Sequence, residues 1–153
     1  MKPIVRIIAG SKSDMDYVKI CEDILDDFEV SFDTHISSSH RNPEKTRHLA
    51  QSAEQDGVKI IIALAGMAAA LPGYLASWTT LPVIGVPLPG SALNGVDSLY
   101  SIVQMPGGIP VAGVGIGKSG AKNAAYLAIA ILGLHDQGLK DKLKRYRASW
   151  NEG

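Results

Sequence analysis

Short apolar runs in this chain stop, one after another, at loops of small residues, and a helical pattern follows each stop. The runs cover residues 4–9, 30–36, 59–64, 81–86 and 111–116. The helical patterns cover about 14–28, 44–55, a short stretch ending near Trp78, 97–103, 121–132 and 137–150. The run at 59–64 is nearly all apolar, as expected of a strand covered on both faces. Strands that alternate with helices make a parallel sheet with helices on each side, and right-handed crossovers leave few topologies. With 153 residues, 46% of them apolar and 20% charged, the expectation is one domain over 1–153 with a real core.

Charge and cysteine content narrow the function classes. The formal net charge is zero, so no long-range field draws nucleic acid or an anionic membrane. Cys21 is the only cysteine, which leaves no internal disulfide. Met1-Lys2-Pro3 leads straight into the first strand, with no pattern of a signal peptide. No apolar run approaches the roughly 20 residues of a membrane helix. The expected location is the cytoplasm.

In parallel sheets, ligands bind beyond the carboxyl ends of the strands. The loops at Gly10, Ser38, Gly66 and Pro87 share that edge, and their small residues allow a ligand close to the backbone. Gly10-Ser11-Lys12-Ser13-Asp14 reads as a tight turn that opens a helix. Such a turn aims free N–H groups and a positive helix end at one point, which suits a phosphate. Ser11 and Ser13 are candidate phosphate donors, and Asp14 is a candidate acceptor from a sugar hydroxyl. Plain helix capping by Ser13 or Asp14 is the competing reading.

Ser38-Ser39-His40-Arg41 carries the most reactive side chains of that edge. Arginine offers a planar fork for phosphate or carboxylate, and histidine exchanges a proton near neutral pH. His40 is therefore the candidate acid/base. His35, His48 and His135 have no metal-site spacing and read as surface or capping residues. Gly115-Ile116-Gly117-Lys118-Ser119-Gly120 matches a dinucleotide-binding pattern but follows the last strand, so strand–helix packing is the expected role of its glycines. Leu139, Leu143, Tyr146 and Trp150 form one apolar stripe on the last helix, which must pack on its own domain or on a neighbouring subunit.

Four ordered blocks resemble one family. They are Gly10-Ser11-Lys12-Ser13-Asp14, Ser38-Ser39-His40-Arg41-Asn42-Pro43, the segment 65–73 and the segment 97–111. Together they resemble PurE, the carboxyaminoimidazole ribonucleotide mutases of purine biosynthesis, over almost the whole chain. The resemblance implies a three-layer α/β/α fold with a flavodoxin-like, parallel, five-stranded sheet and an extended C-terminal helix. It implies a homo-octamer in which that helix, about 137–150, packs on a neighbouring subunit. The implied substrates are a ribonucleotide and enclosed CO2, and no metal or other cofactor is implied. His40 matches the family's general acid/base. Ser11 and Asp14 match substrate-binding positions, Ser13, Ser38 and Arg41 the phosphate side, and Gly66 the base-side loop.

The chain departs from the pattern in four places. The third loop has Met67 where the family usually has glycine and Ala70 where it usually has histidine, and Ser39 and Asn42 replace an alanine and a threonine. Ala70 removes a donor expected near the migrating carboxylate. A carboxylase that uses free CO2, which also lacks this histidine, and a ribonucleotide-binding homologue with weakened catalysis are the alternative readings.

Overall fold

The computed structural model describes residues 1–153. Five strands, β1 (Val5–Ala9), β2 (Phe32–Ile36), β3 (Ile60–Gly66), β4 (Val83–Leu88) and β5 (Ala112–Gly113), form one sheet in the order β2-β1-β3-β4-β5. Every pairing is parallel. Six helices follow the strands: α1 (Met15–Asp27), α2 (Pro43–Ser52), α3 (Leu71–Ala76), α4 (Val96–Val103), α5 (Lys118–Leu132) and α6 (Gln137–Ala148).

The pleat sorts the side chains into two cores. Val5, Ile7 and Ala9 of β1, Ile60, Ile62 and Leu64 of β3, and Ile84, Val86 and Leu88 of β4 pack with α1 and α5. Ile8, Ile61, Ala63, Ala65 and Val83 face the other way, onto Leu49, Leu71, Leu75 and Ile102 of α2, α3 and α4. The all-apolar run in β3 thus serves both faces, and each fully buried isoleucine is worth roughly 1.5–3 kcal/mol. This is the expected three-layer α/β/α, flavodoxin-like architecture.

Element ends differ from the expectation by a few residues, among them the end of α2 at Ser52 and the start of α5 at Lys118, and two strands show the difference best. Strand β4 runs on through Pro87, which pairs with Ala65. Strand β5 shrinks to two residues, opposite Ile84 and Gly85. Its Gly113 allows this close approach: a Cβ there would sit 2.6 Å from Val103 Cγ1, and the valine would have to shift. The glycine pattern at 115–120 is a packing device, as expected: a Cβ on Gly120 would lie 1.6 Å from the Gly115 carbonyl oxygen.

The stripe on α6 lies against its own chain for most of its length. Leu139 is buried, and Leu143 and Tyr146 pack on the α1–α5 core. The Tyr146 ring stacks on Tyr126 at 4.9 Å and meets Phe28 edge-on at 5.9 Å. Trp150 ends the stripe 70% exposed. No helix is long and apolar enough to cross a membrane.

Candidate active site

The carboxyl ends of β1, β2, β3 and β4 surround a cavity of about 720 Å³. Such a volume accommodates a mononucleotide-sized ligand. Its lining includes Gly10, Ser11, Ser13, Asp14, Ser38, His40, Arg41, Gly66 and Ala70, so one pocket gathers every candidate site residue.

The first wall is the turn after β1. Gly10 N–H donates to the Leu64 carbonyl at 3.2 Å and extends the sheet by one bond. Ser11, with extended φ of −151°, then caps a 3-10 turn over Lys12–Asp14. Its Oγ accepts from Ser13 N–H at 3.3 Å and from the Ser13 hydroxyl at 3.0 Å. Capping thus falls to Ser11, not to Ser13. Asp14 occupies the N-cap position of α1, yet its carboxylate makes no capping bond. Burial raises the Asp14 pKa above the usual carboxylate value, against a smaller lowering by a hydrogen bond from the Ser11 backbone. A partly desolvated carboxylate with acceptor sites to spare, beside two hydroxyls, suits recognition of sugar hydroxyls.

The second wall is the loop from β2 into α2. Ser37 is 3% exposed, and its hydroxyl lies 2.7 Å from the Thr46 hydroxyl. Ser38 accepts from Arg41 N–H at 3.1 Å through Oγ and from Asn42 N–H at 2.8 Å through its carbonyl. Asn42 caps α2 through Lys45 N–H, and Pro43 fills the first turn, where its missing N–H costs nothing. The Lys45 ammonium donates to the Ile36 carbonyl at 2.8 Å. These bonds fix the backbone that carries His40 and Arg41, whose side chains remain exposed at the cavity. Arg41 belongs to none of the chain's ion pairs, so its guanidinium is available to an anion.

The third wall is the loop after β3. Ala69 N–H donates to the Met67 carbonyl at 2.9 Å and Ala70 N–H to the Ala68 carbonyl at 2.7 Å, two successive tight turns. Met67 adopts a φ of +53°, a left-handed conformation that suits glycine. Where a histidine would offer a donor, Ala70 presents only a methyl group. Pro89 and Gly90 complete the rim.

Sequence reasoning missed Tyr17, which also lines the cavity. It lies three residues after Asp14, on the same side of α1, a spacing that was available as a signal. His35 lies 3.1 Å from Asp33 Oδ2 on the α2 side of the sheet, away from the pocket and without a hydrogen bond's alignment. No three His, Cys, Asp or Glu side chains come together as a metal site.

The fold and this pocket define an α/β protein with one large, polar-lined cavity at the strand tips. The AIR carboxylase family profile matches residues 4–152. A relative from Pyrococcus abyssi, named N5-carboxyaminoimidazole ribonucleotide mutase, is 54% identical over 145 residues, 95% of this chain and 82% of its own. The Bacillus subtilis protein of the same name is 52% identical over 96% of this chain and 91% of its own. The crystal structure of Treponema denticola PurE aligns with a TM-score of 0.88 at 32% identity, over 98% of this chain and 92% of that one. The chain belongs to the AIR carboxylase family.

Proposed function

We propose that this enzyme is an N5-carboxyaminoimidazole ribonucleotide mutase of purine biosynthesis. The observation that carries the reading is the meeting of His40 and Arg41, the Gly10–Asp14 turn and the Gly66–Ala70 loop in one cavity. The relatives at about half identity that bear this name support the choice of substrate.

The residues suit a proton-shuttled transfer. The phosphate binds Arg41, Ser13 and Ser38, and the ribose and ring bind Ser11, Asp14 and the backbone at Gly66. His40, as imidazolium, protonates N5 while the N5–carboxylate bond breaks, and the electron pair stays on nitrogen. The products are CO2 and an aminoimidazole whose C4 is enamine-like. C4 attacks CO2, and neutral His40 removes the C4 proton. The imidazolium is restored and the net change is an isomerisation. One group that acts as acid and then base works best with a pKa near the operating pH. Binding energy at the remote phosphate holds the ring in place for both steps.

The same reading carries assembly as a homo-octamer in the cytoplasm. The exposed Trp150 end of the α6 stripe then packs on a neighbouring subunit. Ala70 favours one second reading, a carboxylase that takes free CO2, since that wall of the pocket lacks a donor. The test follows C4 carboxylation from the N5-carboxy ribonucleotide and, separately, from the aminoimidazole ribonucleotide with bicarbonate. The mutase reading expects the first substrate to turn over faster, and the reverse order selects the carboxylase. No turnover of either sinks both. His40→Asn is expected to abolish turnover and keep ribonucleotide binding, and activity within a few-fold of the parent removes His40 from its role.

A further inference from the structure

We infer that Tyr74 is a positioning residue that holds the His40 wall of the pocket against the Ala70 wall. The inference rests on the mutase reading above. The Tyr74 hydroxyl donates to the Pro43 carbonyl at 2.9 Å. Pro43 opens α2, three residues after His40. The Tyr74 N–H donates to the Ala70 carbonyl, also at 2.9 Å, so the same residue is tied to the end of the third wall. Its ring meets Trp78 edge-on at 6.4 Å, and Trp78 lies under the Arg47 guanidinium of α2 at 5.4 Å. The remaining side-chain bonds of the His40 loop stay within β2, the loop and α2: Ser37 with Thr46, Thr46 with Asn42, Lys45 with Ile36, Ser38 with Arg41 and Asn42 with Lys45. None of them spans the gap to α3. The Tyr74 phenol is the hydrogen bond that does.

The chemistry makes this gap matter. CO2 freed from N5 is neutral and has no charged partner to hold it. Its recapture by C4 depends on walls that stay close between the two steps, and displacements near 1 Å cost large factors in rate. The phosphate, held between Arg41 and the first turn, has no partner on the Ala70 wall and so feels a wider gap to that wall less. Losing the phenol should therefore spill CO2 before it loosens the ribonucleotide.

Tyr74→Phe keeps the ring and removes only the donor. The fraction of N5-carboxy ribonucleotide that ends decarboxylated instead of C4-carboxylated is measured, after subtraction of the uncatalysed loss, with kcat and KM. The expected result is an about five-fold fall in transfer kcat, the factor of one ordinary hydrogen bond, with a matching rise in the decarboxylated fraction. KM should stay within about two-fold and the melting temperature within about 4 °C. Arg47→Ala loosens the α2–α3 contact without touching the Pro43 carbonyl, and its partition should match the parent's. A parent-like partition in Tyr74→Phe overturns the inference. So does an equal change in Arg47→Ala, or a larger melting shift in Tyr74→Phe, since each assigns the effect to general packing. A parent protein that turns over neither substrate overturns the mutase reading itself, which separates the two failures.

Discussion

The Arg6 guanidinium grips the Asp33 carboxylate across the β1–β2 pair, with Nη2 2.7 Å from Oδ2 and Nε 3.0 Å from Oδ1. Arg6 is 4% exposed and faces the α2 layer of the sheet. Its other donors reach the Leu49 carbonyl at 3.0 Å and Asp56 at 3.0 Å, at the end of α2 and just beyond it. One buried cation thus clamps α2 to the sheet, and α2 begins at the His40 loop.

Breaking this clamp from the Asp33 side should be costly. Asp33→Asn leaves a buried guanidinium with the half-exposed Asp56 as its remaining carboxylate. The expected loss is about 2–3 kcal/mol, below that of a fully buried pair because Asp33 is partly exposed. The loss should also depend on pH. Burial alone would raise the Asp33 pKa, but the hydrogen bonds from Arg6, with the His35 ring nearby, outweigh it and leave it below the usual 3.8. Arg6 and Ser52 lower Asp56 in the same sense. A carboxylate lowered on folding contributes stability above its unfolded value and loses it as pH falls through the folded one. Urea unfolding at neutral pH should therefore separate Asp33→Asn from the parent, and the gap should close below about pH 4. A gap that is constant with pH would show that the charge is not the source.

Close packing makes a second, sharper prediction at two glycines. A methyl group on Gly120 would meet the Gly115 backbone at 1.6 Å, whereas one on Gly10 meets nothing within 4 Å. The Gly115 contact is backbone, so no side chain can rotate away. Gly120→Ala should cost about 3 kcal/mol or more, the upper range of overpacked substitutions, and lower the melting temperature by roughly 6–12 °C. Gly10→Ala should melt with the parent. Equal melting of the two variants would remove the packing role given to the glycines of 115–120.

Asp14 should trade stability for binding. Its carboxylate lies in the cavity with no protein cap, and burial raises its pKa. An acid raised on folding penalises the fold once it is ionised in both states, and the penalty fades as pH falls through the raised value. Without ligand at neutral pH, Asp14→Asn should melt higher than the parent, with a margin that shrinks toward acid pH. The positive end of α1 works the other way, by about 0.3–1 kcal/mol. A variant that melts lower would mean that the helix end outweighs burial. Ribonucleotide affinity, measured by calorimetry, should fall about ten-fold or more, as expected when a charged acceptor loses its hydroxyl partners.

What the sequence made readable follows from the range of the interactions. The strands announced themselves because Ile60, Ile61 and Ile62 in succession leave no solvent-facing side, and the loops at Gly10, Ser38 and Gly66 follow each strand directly. Pro87 hid the end of β4, because proline lacks the N–H that an interior strand residue uses. Here the β5 ladder covers only Ile84 and Gly85; at Pro87 that edge meets only the Gly117 N–H, which donates to the Pro87 carbonyl, so the missing proline N–H costs no ladder bond. The four blocks with His40 and Arg41 were legible because each motif is local. Tyr74 and Arg6 were not. Their partners lie 31 and 27 or more residues away, and nothing in local periodicity distinguishes Tyr74 from any half-buried helix aromatic.

Met67 offers a test of backbone strain at the pocket itself. Its φ of +53° and 64% exposure put a β-carbon-bearing residue in a left-handed turn without burying its side chain. That conformation costs an L-residue about 1–2 kcal/mol. Exchange for glycine relieves this strain and loses up to about 1 kcal/mol through the freer unfolded chain. The two terms oppose, and little buried surface is lost. Met67→Gly should therefore melt at or slightly above the parent. Two residues on, Ala69 is 1% exposed, and its φ is not positive. There the same exchange removes a buried methyl group and relieves no strain, so Ala69→Gly should lose about 1.5–2 kcal/mol. Melting curves of the two variants read the difference directly. If Met67→Gly falls as far as Ala69→Gly, the thioether packs against something that matters more to the fold than the turn's strain.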